Sequence, residues 1–530
     1  MIKGMTSAEE DLQWPSFPVM VENSWLVKPS NCNGSSSSKQ LLQRRDPPDK
    51  IVDGEFSYVD DAPQCKKKKK KMPLTGFDIC RLRVGFMERV LVFEPTTTGG
   101  EEEDHGLRSF EPLSVRLRES LAKALDYCHP LAGRLIQEED GTFAIDCDDS
   151  GVLFVEASSP ISVGDLRDDR LLYSYENFCP LDRSNIPEIG GLLDVLPLFA
   201  AQLTTFNNGG YALGIMFCHA IADGPCAWQF VSSWAQVCQG EKQASHCCFD
   251  FSSRTNVIDL KLHSGNLEMT TLMELPQTWK KHELLPHNIL VCHLPLTRPT
   301  ASKHLFLRIH PDLVKKLKSQ LAQEEDVQDT HTNGKVATRF SSYVVISALL
   351  WRASIRARNI SDLQDSRFIF AIDCRMRCNN VPKNYFGNMI LDAVSVANVS
   401  KLLCHQRISF AAKTIHNSLQ ELTSGNNIQS FSNMMQQEKQ CGFNAKFRQE
   451  TDVFVAGMIY NPLLACDFGL GLPCCIKFDV LRLCNNFLLW CPKAKPSDAW
   501  VLIFKAASDV ADRMLQDPEL MAFMTLDYAQ

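Results

Sequence analysis

Tyr211-Ala-Leu-Gly-Ile-Met-Phe-Cys218, then His219-Ala-Ile-Ala-Asp223-Gly224, then a segment opening at Pro225: the reading of this stretch decides the fold. The first run is short, contains Tyr, Ile and Phe, and is closed by a Gly-Pro break, which fits a buried strand better than a helix. Pro225 can occupy the first helical position, where a missing N–H costs nothing. Beyond it Ala227, Trp228, Val231, Trp234, Ala235 and Cys238 recur at three- and four-residue steps and predict an amphipathic helix. His219 is therefore expected at the mouth of a core strand, on a strand–turn–helix unit. Out of context it would read sooner as a core histidine satisfied by backbone, and the flanking strand and helix reverse that reading. A second His-x-x-x-Asp, His246 to Asp250, has no strand before it and no Gly after it, and is read as chance.

Four more stretches stand in a fixed order along the chain, one before the hexad and three after it: His129-Pro-Leu-Ala-Gly-Arg134-Leu135, the apolar helix Ser341 to Leu350 ending in Trp351, Tyr385-Phe-Gly-Asn388, and Asp467-Phe468-Gly469-Leu470-Gly471. With the His219–Gly224 hexad, this series resembles the BAHD acyl-CoA-dependent acyltransferases, a plant family, from about Pro73 to the C-terminus. The resemblance implies a chloramphenicol-acetyltransferase-like fold, two similar mixed-sheet domains with His219 in an interdomain channel. It also implies acyl-CoA as co-substrate, a small phenolic, cuticle or specialised-metabolism acceptor, no metal, and a cytoplasmic monomer.

Composition sets outer bounds. A 530-residue chain with 45% hydrophobic and 22% charged residues can hold two ordinary globular domains. Net charge of -7 argues against a general attraction to nucleic acid. The 21 cysteines form no Cys-x-x-Cys pair, and Met1 to Glu10 is too polar for a secretory signal, so free thiols in a reducing compartment are expected. Adjacent Cys247 and Cys248 beside His246 lack zinc-ligand spacing. Val453 to Ile476, the longest apolar neighbourhood, is broken by Asn461, Pro462 and Asp467 and does not read as a membrane span.

Alternating strand and helix patterns predict an α/β or α+β fold. Residues 1–72 read as a mostly disordered extension with a short strand near 24–30. Its Ser35–Ser38 and Lys66–Lys71 runs bury too little apolar surface to fold, and the lysines also leave a nuclear or membrane-surface contact open. The resemblance implies an N-terminal domain over 73–240, a crossover at 241–300 and a C-terminal domain over 301–530. Leu402 to Leu422 shows helical spacing, Phe454 to Leu464 reads as extended, Ser341 or Ser342 can cap the Trp351 helix, and Ser508 the last one.

An imidazole near neutrality can take a proton from a hydroxyl or amine, so general base is the natural role for His219. No covalent intermediate is then required. Asp223 invites a triad. The resemblance implies instead that Asp223 turns away to pair with an Arg and supports the His loop; Arg375 matches that partner, with Arg377 close by. A helix N-cap is a further reading of Asp223, and Gly224 is expected to grant a backbone conformation that side chains resist. By resemblance, Asp467, Phe468, Gly469 and Gly471 are structural. The chain departs from the family where Leu470 stands for Trp, and at Ala456-Gly457-Met458, where a Trp is usual near the acyl carbonyl. These departures leave open a catalytically impaired member that acts as a binding or partner protein. A carrier-fed condensation enzyme is a third reading. Lys446 and Arg448 cannot be assigned to an acidic acceptor from sequence.

Overall fold

In the computed structural model of the chain the Tyr211–Cys218 run is a strand with one half-exposed residue, Tyr211, and seven buried ones, so both faces are covered. The structure describes residues 18–31, 38–43, 70–79, 81–82, 85–95, 112–167, 175–181, 196–241, 249–254, 302–328, 339–375, 381–404, 408–422, 450–457, 462–477, 484–491 and 498–529.

The first half contributes β1 (Met20–Val27), β2 (Ser38–Gln43), β3 (Lys70–Pro73), β4 (Phe86–Phe93), β5 (Arg134–Gln137), β6 (Phe143–Cys147), β7 (Val152–Ser159), β8 (Phe199–Phe206) and β9 (Tyr211–Cys218). The second contributes β10 (Ser302–Ile309), β11 (Asp365–Asp373), β12 (Ile390–Asn398), β13 (Val453–Gly457), β14 (Cys475–Lys477), β15 (Phe487–Trp490), β16 (Trp500–Ala507) and β17 (Thr525–Ala529). Helices are α1 (Gly76–Ile79), α2 (Leu113–Tyr127), α3 (Val163–Arg167), α4 (Gly224–Cys238), α5 (Pro311–Gln328), α6 (Ser342–Arg358), α7 (Val399–Leu403), α8 (Ser409–Leu422), α9 (Ser508–Leu515) and α10 (Pro518–Met521).

Two seven-stranded mixed sheets result, ordered β14-β4-β9-β8-β7-β1-β2 and β12-β11-β13-β15-β16-β10-β17, with a small β3-β6-β5 sheet beside the first. This is the two-domain α/β arrangement expected. β9 lies between β4 and β8, antiparallel to both. Gly214 sits where β9 passes another segment: a Cβ there would stand 1.7 Å from the Phe178 carbonyl oxygen. Gly214→Ala is accordingly expected to lower the thermal midpoint by roughly 5 °C or more, because backbone must move to admit the methyl. An unchanged midpoint would mean that Phe178 does not pack there.

α2 and α4 cover the first sheet, joined by Trp234 Nε1, which donates to the Leu117 carbonyl at 3.1 Å and to Ser120 Oγ at 3.0 Å. The second core surrounds α6, which is buried almost all round, as a helix with apolar residues on every face must be. Several short pieces change sides. Phe77 of α1 enters the second core, while Phe386, Leu463 and Phe468 from later in the chain enter the first, and β14 pairs with β4. The Asp467 stretch, expected with the 301–530 domain, thus packs on the first half.

Several local expectations need correction. Ser38–Gln43 and Lys70–Pro73 are strands, because backbone pairing with β1 and β6 supplies order that their side chains do not. Trp351 lies inside α6, which runs on to Arg358, and its Nε1 donates to Ser366 Oγ at 2.8 Å. Ser341 is the cap of α6, accepting from the Val344 N–H, whereas Ser508 is already helical and caps nothing. The 402–422 helix is broken into α7 and α8, and after β13 the chain forms a 3-10 turn at Pro462–Ala465 in place of extended structure.

Candidate active site

β9 delivers His219 to the seam between the halves. Its N–H donates to the Gly85 carbonyl at 2.8 Å, tying it to the entrance of β4, and its own carbonyl accepts from Asn388 Nδ2 at 2.8 Å. The residue keeps partial solvent exposure, yet ring atom Nδ1 is sealed from solvent. Nε2 is left as the nitrogen that can meet an incoming group. Burial, and then the positive charge of Arg81, push the imidazole pKa down to about 4, against smaller opposing effects that include a hydrogen bond to its own backbone carbonyl, Asp223 and Asn388. The ring is therefore neutral throughout the physiological range.

Asp223 does not orient that ring. It is fully buried and caps α4, with Oδ1 accepting from the Cys226 N–H at 3.2 Å. It also meets Arg375, at 3.0 Å from Nη2 to Oδ1 and 2.8 Å from Nη1 to Oδ2, and Oδ2 accepts from the Met389 N–H at 2.9 Å. The cap and the ion pair, expected to be compatible, are both present. Arg375 donates further to the carbonyls of Tyr385 at 3.2 Å and Gly387 at 2.5 Å. Burial alone would lower its pKa, but Asp223 together with Cys226 and Asp373 outweighs that and holds it well above the ordinary value. Arg377, Met458, Lys446 and Arg448 lie outside the described residues, as do His246, Cys247 and Cys248.

Gly224 departs from expectation. It is not among the residues with positive φ, and what its missing side chain provides is room: a Cβ would come within 3.2 Å of Trp228 Nε1. Gly469 and Gly471 do have φ of +82° and +80°, so that three successive N–H groups, of Gly469, Leu470 and Gly471, converge on Asp467 Oδ1 at 2.7, 3.0 and 3.0 Å. Phe468 packs edge-on against Trp234, and Gln239 donates to the Asp467 carbonyl at 2.6 Å. This bend grips the C-terminal end of α4, about 22 Å along the helix from the His219 end. Leu470 is half-buried against the first core, and Ala456 packs on a small cluster with Phe306 and Phe454. His129 is exposed, its ring edge-on to Phe251 at 5.5 Å.

Sequence reasoning missed the groups behind His219. Asp78, fully buried, accepts from the Thr75 N–H at 2.8 Å, Thr75 Oγ1 at 2.7 Å, Arg254 at 2.5 Å and the Asn388 side chain at 2.9 Å. The Thr-x-x-Asp capping spacing at 75–78 was the available signal. Nearby, Arg81 binds Asp392 through both oxygens at 3.1 and 3.2 Å, a second ionic link across the seam. Among the described residues no helix is long and apolar enough to cross a membrane, and no group of three His, Cys, Asp or Glu side chains is arranged to hold a metal.

Residues 103–506 match the Transferase family, which is most of the chain. The chain belongs to that family, the BAHD acyltransferases. Hydroxycinnamoyltransferase 1 of Oryza sativa subsp. japonica is 31% identical over 293 residues, covering 54% of this chain and 60% of the relative. A hydroxycinnamoyl-CoA:5-hydroxyanthranilate N-hydroxycinnamoyltransferase of Avena sativa is 32% identical over 292 residues, covering 54% and 59%. The matched region thus spans about three fifths of the length of these curated BAHD relatives. Vinorine synthase shares the fold, with a TM-score of 0.61 at 16% identity over 96% of this chain and 98% of that one.

Proposed function

We propose that the protein is an acyl-CoA-dependent acyltransferase that moves an acyl group to the hydroxyl or amine of a small acceptor, with His219 as general base. The observation that carries this reading is a neutral, partly exposed imidazole at the seam, on a loop fixed at its far side by the buried Asp223–Arg375 pair. A base must be both deprotonated and reachable, and few core histidines are both. The names of the rice and oat relatives favour a hydroxycinnamoyl group as the acyl moiety.

In this mechanism Nε2 takes the acceptor's proton as its oxygen or nitrogen attacks the thioester carbonyl. The tetrahedral oxyanion collapses, the carbon–sulfur bond breaks, and the imidazolium returns the proton to the departing thiolate of coenzyme A. No covalent acyl-enzyme is formed. Proton transfer of this kind contributes about 10²–10⁴ in rate, and alignment of the two substrates supplies much of the rest. Asp223, Gly224 and Arg375 hold the loop, while Asp467, Phe468, Gly469 and Gly471 brace the helix behind it.

The test is release of free coenzyme A thiol from hydroxycinnamoyl-CoA in the presence of a panel of hydroxyl and amine acceptors. Acceptor-dependent release is expected. Binding of the thioester without release for any acceptor would favour the partner-protein reading, to which Leu470 and Ala456-Gly457 point.

A pH profile gives a further expectation. The base works only when unprotonated, so activity is lost as pH falls through its pKa, and a depressed pKa moves that loss to lower pH. The acid limb of kcat/KM is expected at about pH 4–5, below the ordinary histidine value of about 6.5. A limb near 6.5 would contradict the environment described for His219.

A further inference from the structure

Arg254, in the short described segment after α4, is sealed at the seam with its side chain only 2% exposed. The Nη1 end of its guanidinium is engaged, by Asp78 Oδ2 at 2.5 Å and the Pro73 carbonyl at 3.4 Å. The N–H groups on Nε and Nη2 are buried and have no partner among the described residues. Tyr385 is in the same position, fully buried with an unpaired hydroxyl. Backbone brings the two together. The Asp250 N–H donates to the Asn384 carbonyl and the Phe386 N–H to the Asp250 carbonyl, both at 2.9 Å, so the segment that carries Arg254 runs alongside Tyr385. Tyr385 Oη is turned back over Gly387, where a Cβ would stand 2.5 Å from it. The next residue, Asn388, gives its N–H to Asp78 Oδ1 at 3.0 Å, while Arg254 holds the other oxygen of that carboxylate. Arg254 and Asp78 are also among the charges that act on the phenol.

Buried donors without a partner are rare in native proteins, because each has given up its bond to bulk water for nothing. Here the free edge of a guanidinium and a phenol hydroxyl gather around one carboxylate, and no protein group pairs with either. We propose that the seam holds an internal water site, in which a water accepts from the free edge of Arg254 and shares a hydrogen bond with Tyr385 Oη. Water suits these groups, since it accepts from a donor-only guanidinium and can either give to or take from a hydroxyl. An anion does not. Both guanidiniums near Tyr385 are already paired, Arg254 with Asp78 at 2.5 Å and Arg375 with Asp223 at 2.8 Å, so no net positive charge is left to hold one. The water completes a polar link from the segment after α4 to the Tyr385–Asn388 stretch, behind the His219 loop. The site stands whether or not His219 is a base.

Replacing Arg254 would strand the Asp78 carboxylate, so the variant of choice is Tyr385→Phe, which keeps the ring and deletes one partner of the water. Its thermal midpoint is expected to fall by about 1–4 °C. If the hydroxyl were simply buried and unpaired, its removal would leave the midpoint unchanged or raise it, and that result would overturn the proposal. The second arm is a high-resolution crystal structure of the wild-type full chain, which decides the matter even where the variant does not fold. A density peak is expected at about 2.7–3.2 Å both from Nε or Nη2 of Arg254 and from Tyr385 Oη. Absence of a peak, or a direct bond between Tyr385 Oη and the guanidinium, would contradict the site. A peak replaced by bromide in a soaked crystal would mark a halide and overturn the assignment to water.

Discussion

His219→Ala is expected to lower acyl-transfer turnover by about 10²–10⁴-fold while shifting the thermal midpoint by no more than a few degrees. The asymmetry follows from how the residue is held. The links that place it are made by its main chain, to Gly85 and Asn388, and an alanine keeps both. Its ring contributes little to packing on the solvent side, and removing an imidazole that burial already keeps uncharged creates no unpaired charge. Turnover within about threefold of wild type would remove His219 from the chemistry. A large loss of stability would instead return it to the role of a core histidine. Steady-state kinetics and a thermal melt on the same preparation separate these outcomes.

Arg375→Ala is expected to destabilise the protein by about 3–5 kcal/mol and to abolish activity with it. The change strands the Asp223 carboxylate, fully buried, with only backbone N–H groups of Cys226 and Met389 for company. It also takes the guanidinium donor from the Tyr385 and Gly387 carbonyls, leaving them the weaker Cys226 thiol, at a stretch where the second half touches the His219 loop. Asp223→Asn should be milder. Its amide can still cap α4, and Arg375 keeps Asp373 at 3.1 Å, which is partly exposed. Urea unfolding of the two variants should therefore rank Arg375→Ala as the less stable. The reverse order would mean that a stranded Asp223 carboxylate is not the larger of the two costs.

The sequence exposed the strand–turn–helix unit because its signals are local: seven apolar residues, a Gly-Pro break and a helical stripe report on a few turns of chain. The Asp467 bend was equally legible, since glycines with positive φ leave a mark in composition. What the sequence withheld depends on partners far away. The Thr-x-x-Asp spacing at 75–78 marks Asp78 as a local cap and no more, and its burial becomes visible only when Arg254 and Asn388, 176 and 310 residues on, are brought to it. The strands at Ser38–Gln43 and Lys70–Pro73 were hidden for the same reason, as polar sequence ordered by an adjacent sheet edge. Gly224 was misread because a helix start and a strained turn both favour glycine, and only the position of Trp228 tells them apart. Asp223 shows the opposite case: the cap and the ion pair, readable as compatible from sequence, are both made by one carboxylate.

The most direct test is a crystal structure of the protein with a non-hydrolysable hydroxycinnamoyl-CoA analogue and an acceptor bound. His219 Nε2 is predicted to lie about 2.6–3.2 Å from the acceptor's oxygen or nitrogen, with the acyl carbonyl carbon on that atom's other side. An acyl carbonyl held away from the seam, with His219 touching neither ligand, would contradict the account.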